Sequence, residues 1–359
     1  MLSKLQHIRK SIDEIDKEIA ELINKRALLA LDIAKIKNEN KNRKSDIVDY
    51  YVPSREKEVI KNVISINNVL SVESIKNIYT EIISACRNLE HPIKIAFLGP
   101  FATFTHQAAI YNFGLTNHFI PVQSLNDVIS EVENNRANFG VVPVENSDEG
   151  SIDITLDILV DTELKICAEV SLKIEQCLLV KDPNVEIRKI YSHSHALAQS
   201  RNWIIRNYPN VDLVSVSSTA EAAKKAAKEK FAGAVASEVA AKMYNLCILQ
   251  KGIQESRKNF TRFFVVGRTI TKPTGKDKTS LVFTVNDEIG ALYNVLEIFN
   301  KSNVNLMKIE SRPTKKRAWE YMFFVDFRGH INEKNVIDMI KSLKNNCIFV
   351  KSLGSYPEA

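Results

Sequence analysis

The sequence predicts a multidomain chain: an all-α segment, then a two-lobed α/β segment, then an α+β segment of the ferredoxin-like plan. Three observations carry this. No glycine occurs before Gly99 and the first proline is Pro53, a scarcity of breakers that favours helix throughout. From Lys94 onward, short β-rich runs alternate with helical ones, the pattern of α/β architecture. After the turn-rich Lys272-Pro273-Thr274-Gly275, the order strand, helix, strand, strand, helix, strand can be read from Thr279 to about Ser355. The 359 residues suit two or three domains, placed at 1–91, 93–270 and 278–356.

The first helix opens on Ser3 and Gln6, a capping-box pair. Leu5, Ile8, Ile12, Ile15, Ile19 and Leu22 then recur three and four apart, as in a coiled-coil seam. A helix running to about Lys37 would be roughly 50 Å long. That exceeds the diameter of a small domain, so its apolar stripe calls for another chain. Two shorter helices are expected near 54–66 and 71–90, giving an intertwined helical homodimer, with a higher oligomer left open.

Continuing the seam puts Arg26 where an apolar residue belongs, and a charge on a buried stripe needs a partner. Lys37 lies almost on the same face, about 16 Å along the axis. Two cationic side chains at that spacing can straddle a small dianion. Arg9 is about 42 Å from Lys37 on a straight helix, so only an antiparallel partner could bring it to the same pocket. The competing reading leaves Arg26 snorkelling to solvent and the others as surface charges.

Composition narrows the function classes. A net charge of +6 with Lys and Arg spread along the chain favours small anionic ligands over nucleic acid, which needs a clustered basic face. The five cysteines, at 86, 167, 177, 247 and 347, have no metal or redox spacing and read as reduced thiols of a cytoplasmic protein. The first residues lack the apolar core of a signal peptide, and no apolar run reaches membrane-spanning length. No cofactor is expected.

In the middle segment, strands at 95–98, 139–142, 178–180, 213–216 and 234–236 are expected. Several lead into hydroxyl-rich helix starts: Gly99 to Thr105, Glu145-Asn146-Ser147 through Gly150-Ser151, and Ser217-Ser218-Thr219-Ala220-Glu221. Helix N-termini attract carboxylates, although Ser and Thr also cap helices for structural reasons alone. Their recurrence raises the case for an anion cleft between two lobes.

A family resemblance now enters. Arg9, Arg26, Lys37, the run Pro53-Ser54-Arg55-Glu56, then Ser84-Ala85-Cys86 and Glu90 resemble the all-helical chorismate mutase domain. The resemblance implies that Arg26 and a partner chain's Arg9 bind the substrate's carboxylates, that Lys37 and Glu90 address the ether oxygen, and that Glu56 holds the ring hydroxyl beside Arg55, with Val52 and Cys86 lining the site. Pro143-Val144-Glu145-Asn146-Ser147 with Gly150, Thr155-Leu156-Asp157, His193 through Gln199, and above all Asn259-Phe260-Thr261-Arg262-Phe263 resemble prephenate dehydratases, whose fold is like that of periplasmic binding proteins. There the Thr-Arg-Phe motif carries catalysis. By carry-over Thr261 gives a proton or strong hydrogen bond to the departing hydroxyl, and Arg262 orients a carboxylate or holds the local backbone. Thr103, Asn146, Ser147, Ser218, Thr219 and Phe263 would line the cleft.

Gly290-Ala291-Leu292 and Glu310-Ser311-Arg312-Pro313 resemble the ACT domain of these enzymes, which implies phenylalanine as an effector bound between two such domains. The family reading is therefore an enzyme of phenylalanine synthesis, converting chorismate to prephenate and prephenate to phenylpyruvate. A non-catalytic amino-acid sensor, or a dehydratase with a merely structural N-terminal part, stands as the alternative.

Departures from the family pattern are visible. Glu90 stands where glutamine is common, and glutamate donates to an ether oxygen only when protonated; this predicts mutase activity that falls as pH rises through neutrality. Val52 stands where aspartate is common and Cys86 where serine is. Ala102 replaces a frequent glycine, which would be strained if φ must be positive. Ser194-His195 replaces Pro-Gln, Glu255 an aspartate, and Ile289 a proline.

Overall fold

The computed structural model describes residues 2–40, 50–67, 69–148, 150–256, 258–314 and 321–359. They fall into two compact units, one of residues up to Ile93 together with Phe113–His118, the other of the rest.

The first unit is helical: α1 (Leu2–Asn40), α2 (Pro53–Ile66) and α3 (Val72–Glu90). The expected start of α1 on a Ser3 cap lies outside the described side chains. The seam residues Leu5, Ile8, Ile12, Ile15, Ile19 and Leu22 are about half exposed along their length, so the protomer leaves this stripe uncovered. Helix α2 begins with proline at its first position, where a missing N–H costs nothing. Ser71 caps α3 by accepting from the Ser74 amide.

The second unit contains β1 (Lys94–Leu98), α4 (Phe104–Phe113), β2 (His118–Val122), α5 (Leu125–Glu133), β3 (Phe139–Asn146), β4 (Gly150–Ser151), α6 (Asp153–Asp161) and β5 (Lys165–Lys173) in one lobe. A second lobe holds β6 (Cys177–Val180), β7 (Lys189–Ser192), α7 (Ser194–Asn207), β8 (Asp212–Ser215), α8 (Thr219–Ala226), β9 (Ala232–Ala236), α9 (Glu238–Tyr244) and β10 (Cys247–Lys251). The chain then returns through β11 (Phe260–Gly267) to the first lobe. The sheets run β2-β1-β3-β11-β5, with β4 on β3, and β10-β6-β9-β7-β8. This is the two-lobed architecture the sequence predicts. The expected strands are all present. Those at β2, β4, β5, β7 and β10 carried no separate sequence signal.

The C-terminal segment is β12 (Asp277–Thr284), α10 (Ala291–Lys301), β13 (Leu306–Pro313), β14 (Tyr321–Arg328), α11 (Lys334–Asn346) and β15 (Phe349–Pro357). Its antiparallel order β13-β14-β12-β15 is the ferredoxin-like one. The run 272–275, read as a linker, leads directly into β12. Asp277, buried, accepts from the Thr274 and Gly275 amides and the Thr274 hydroxyl.

This sheet is covered on both faces. Leu281, Phe283, Val325 and Phe327 pack with Val295, Phe299, Val336 and Met339 of α10 and α11. On the other face Val282, Phe324, Leu353 and Tyr356 share one core with Val142, Val144, Leu156, Ile166 and Phe264 of the first lobe. Gly354 makes the close approach possible: a Cβ there would collide with the Ile166 carbonyl and lie 2.7 Å from its amide nitrogen.

Candidate functional sites

In the helical unit, seven of the expected residues line one cavity of about 390 Å³: Arg26, Lys37, Val52, Arg55, Glu56, Cys86 and Glu90. Arg26 and Lys37 come from one face of α1, as the seam predicts. Lys37 Nζ donates to Glu90 Oε2 at 3.0 Å and sits 5.2 Å over the Tyr50 ring. Lys37 thus engages one carboxyl oxygen of Glu90 inside the cavity. The carbonyl of Val52 receives the amides of Arg55 and Glu56 at 3.0 and 3.1 Å, so this residue acts through its backbone to start α2. Arg55 pairs with Glu58 at 2.8 Å, with its side chain largely exposed. Cys86 is buried in the wall. Arg9 is exposed on α1 and is not among the residues lining the cavity.

The sequence reading missed Arg87. Only 3% exposed, it lines the same cavity and forms an ion pair through Nη1 with Glu56 Oε1. Its Nη2 donates to the Phe113 carbonyl at 2.8 Å, and the guanidinium lies 5.2 and 5.7 Å from the Tyr51 and Phe113 rings. Burial raises the Glu56 pKa above the ordinary carboxylate value, and Arg87 opposes that rise ahead of Arg26. A signal existed. Ile83, Cys86, Arg87 and Glu90 recur at i, i+3, i+4 and i+7, the spacing of a single helix face.

In the second unit, Thr261 and Asn146 face each other as antiparallel register partners on β11 and β3. Thr261 is buried. Asn146 Nδ2 donates to Thr261 Oγ1 at 2.8 Å and to Asn259 Oδ1 at 2.9 Å, while Asn146 Oδ1 accepts from the Asp148 amide at 2.9 Å. A backbone amide can only donate, so this last bond fixes which end of Asn146 faces Thr261. Ser147 is tied to the same strand: its hydroxyl accepts from the Phe260 amide at 3.0 Å and donates to the Lys258 carbonyl at 3.1 Å.

The remaining cleft residues sit at helix starts. Thr103 Oγ1 accepts from the His106 amide at 3.3 Å, and Ser218 caps α8 by accepting from Glu221 at 3.0 Å. Thr219 is the first residue of α8 and is nearly buried. Ala102 packs in one cluster with Ala220, so the loop carrying Thr103 reaches the second lobe's helix start. Ala102 adopts φ +69°, the positive value that glycine would take without strain.

Two residues of the Thr-Arg-Phe motif are taken up by the protein itself. Phe263 is 1% exposed and packs in the core. Arg262 is held by side chains of three other strands. Its Nε donates to Glu169 at 2.8 Å, Nη1 to Asp326 at 2.5 Å and Nη2 to the Tyr356 hydroxyl at 2.9 Å. Burial disfavours its charge, but Tyr356, Asp326 and Glu169 outweigh this and hold it ionised. Of its two anticipated roles, holding the local backbone is the one its contacts fit.

At the C-terminal sheet, Gly290 takes φ +83° before α10, with Ala291 nearly buried and Leu292 half-buried beside it. Glu310, Ser311, Arg312 and Pro313 lie on β13. Arg312 pairs with Asp157 at 3.1 Å and with Asp153. Lys308 pairs with Glu145 at 3.0 Å and Glu310 at 3.2 Å, and Glu310 accepts from the Ser151 hydroxyl.

The fold and these constellations define a multifunctional enzyme: a helical part with a cation-lined cavity, a two-lobed α/β part and a regulatory-type C-terminal sheet. Family models match in that order: chorismate mutase type II over residues 8–91, prephenate dehydratase over 95–271 and the ACT domain over 279–345. The chain is 48% identical over 364 residues to the bifunctional chorismate mutase/prephenate dehydratase of Aquifex aeolicus, covering 100% of this chain and 99% of that one. It is 39% identical over 359 residues to the namesake from Pseudomonas aeruginosa, covering 99% and 98%. The solved structure of a prephenate dehydratase in complex with L-Phe from Arthrobacter aurescens is similar at a TM-score of 0.69 and 34% identity, over 74% of this chain and 90% of that one. The chain belongs to the bifunctional chorismate mutase/prephenate dehydratase family, and it is an enzyme with an isomerase part and a lyase part.

Proposed function

We propose that the helical cavity rearranges chorismate to prephenate and that the two-lobed part converts prephenate to phenylpyruvate. The observation that carries this reading is the gathering of Arg26, Lys37, Glu56 and Glu90 around one cavity. The rearrangement needs no covalent intermediate. The protein has only to hold the reactive conformer and stabilise charge developing on the ether oxygen. Arg26 takes a carboxylate, Lys37 donates to the ether oxygen beside Glu90, and Glu56 accepts from the ring hydroxyl. Arg9 serves from a second copy of the chain, whose seam covers the apolar stripe of α1.

In the dehydratase part, Thr261 gives its proton, or a strong hydrogen bond, to the departing ring hydroxyl. Asn146 supports this, because it occupies a lone pair on Thr261 Oγ1 and leaves the hydroxyl hydrogen for the substrate. Water and carbon dioxide leave together as the ring becomes aromatic, so a modest acid suffices. Thr103, Ser218 and Thr219 provide helix-start donors for the substrate's carboxylates, with Ser147 on the turn after β3 beside them.

Phenylalanine acts as effector at Gly290–Leu292 and Glu310–Pro313, between the ACT segments of two copies. The ion pairs from Lys308 to Glu145, next to Asn146, and from Arg312 to Asp153 and Asp157 of α6 support a path from that strand to the cleft. Regulation needs the effector to bind one of two states more tightly. A cytoplasmic location accords with five cysteines read as reduced thiols. Among the described residues no helix is long and apolar enough to cross a membrane.

The test supplies chorismate and follows its loss and the appearance of phenylpyruvate. Arg26→Ala should block chorismate loss; Thr261→Ala should let prephenate accumulate. Absence of phenylpyruvate from prephenate with the wild type would end the dehydratase reading.

A further inference from the structure

The mutase cavity contains a buried cation that the substrate contacts proposed above leave without a role. Arg87 lies in its wall with 3% exposure, ion-paired to Glu56 through Nη1, held at Nη2 by the Phe113 carbonyl and flanked by the Tyr51 and Phe113 rings. Its Nε is buried with no hydrogen-bond partner among the described residues. An arginine fixed this firmly, at the cost of one unsatisfied donor, is a fixed support and not a mobile surface charge. Only one of the two Glu56 oxygens is engaged by it.

We propose that Arg87 is a positioning residue for the mutase reaction, fixing Glu56 in place as an ionised acceptor aimed at the substrate's ring hydroxyl. It rests on the reading that Glu56 receives that hydroxyl. The physical reasoning is direct. A carboxylate accepts a charge-assisted hydrogen bond about twice as strong as a neutral acid does, but burial favours the neutral acid. The charged groups facing Glu56 are Arg87 and Glu90 from α3 and Arg26 from α1. Glu90 repels it and is itself paired with Lys37. Arg87 is the cation in direct contact, and its bond to the Phe113 carbonyl sets the angle at which its fork meets Glu56.

The test measures the pH profile of kcat/KM for chorismate on the full chain. Replacing Arg87 with methionine (R87M) keeps the apolar stem and removes the charge. Mutase kcat/KM should fall at least tenfold near neutral pH, and the acid limb of the profile should move up by about one pH unit or more. R87K should restore the limb in part, since lysine keeps the charge without the fork. A purely structural arginine would lower the melting temperature and leave the limb where it was; that result overturns the proposal. Should R87M fail to fold, R87Q reaches Glu56 with a neutral donor and carries the same expectation. E56Q locates a failure: if it shows the wild-type rate and profile, the role given to Glu56 is wrong, and the proposal falls with it.

Discussion

Arg262 and Asp326 join two sheets: Nη1 on β11 meets Oδ2 on β14 at 2.5 Å, while Thr261, one residue earlier, faces Asn146. Consecutive residues of a strand point to opposite faces. The same short segment therefore presents its hydroxyl to the cleft side and its guanidinium to the C-terminal sheet. Glu169 completes the network, accepting from Lys278 at 2.7 Å as well as from Arg262.

Arg262→Met should destabilise the second unit by about 3 kcal/mol, because it leaves the buried Asp326 without its cation and Glu169 with Lys278 alone. Differential scanning calorimetry of the full chain would register this. Dehydratase kcat should fall with it, since the strand holding Thr261 loses its anchor. Mutase kcat/KM for chorismate, measured below the new transition, should stay near wild type.

Asn146→Leu should lower prephenate turnover by about a hundredfold, the scale of a catalytic group misplaced by an ångström. It removes both the donor to Thr261 and the acceptor for Asp148. Steady-state kinetics with prephenate would decide it; a change confined to KM would show that Asn146 binds substrate and does not order Thr261.

Ala102→Gly separates two opposed effects of similar size. Glycine relieves about 1–2 kcal/mol of left-handed strain but loses the burial of one methyl, about 0.8 kcal/mol. The net change in stability should be a gain of roughly 1 kcal/mol or less. Ala102→Val adds β-branching in the same conformation within a full core and should cost about 2 kcal/mol or more. Denaturant titration distinguishes the pair.

Acid should weaken the first lobe through His106. Its ring stacks on Phe97 at 4.8 Å, meets Phe101 and Phe119 edge-on, and accepts from the Ala102 amide at 3.2 Å. Burial lowers its pKa to about 4, whereas an unfolded histidine titrates near 6.5. Between those values the unfolded state binds the proton and the native state does not, so stability falls as pH drops from about 6.5 to 4. About 2 kcal/mol is at stake after allowance for screening. In His106→Phe the melting temperature should lose this slope; an unchanged slope would refute the assignment.

Much of this was legible in the sequence. The seam of α1 exposed Arg26 and Lys37 as partners in one cavity, and the Thr-Arg-Phe motif led to Thr261. Arg87 escaped because an arginine in the last turn of a helix reads as a partner of the helix dipole, although its spacing from Ile83 and Glu90 placed it on the cavity face. The doubled burial of the C-terminal sheet also escaped. The run Tyr321-Met322-Phe323-Phe324-Val325 is apolar without alternation, which is what a strand covered on both faces looks like. Arg262 could not be resolved from sequence, since its partners at 169, 326 and 356 meet it only through folding.

The core shared by Val282, Phe324, Leu353 and Tyr356 with the first lobe bears on how this enzyme can be altered. A chain cut near residue 270 would bare Val144, Leu156 and Phe264 to water, so the sensor cannot be pruned away as a detachable accessory. Under the regulation proposed above, feedback is relieved by point changes along Gly290–Leu292 and Glu310–Pro313, with the sheet itself left in place.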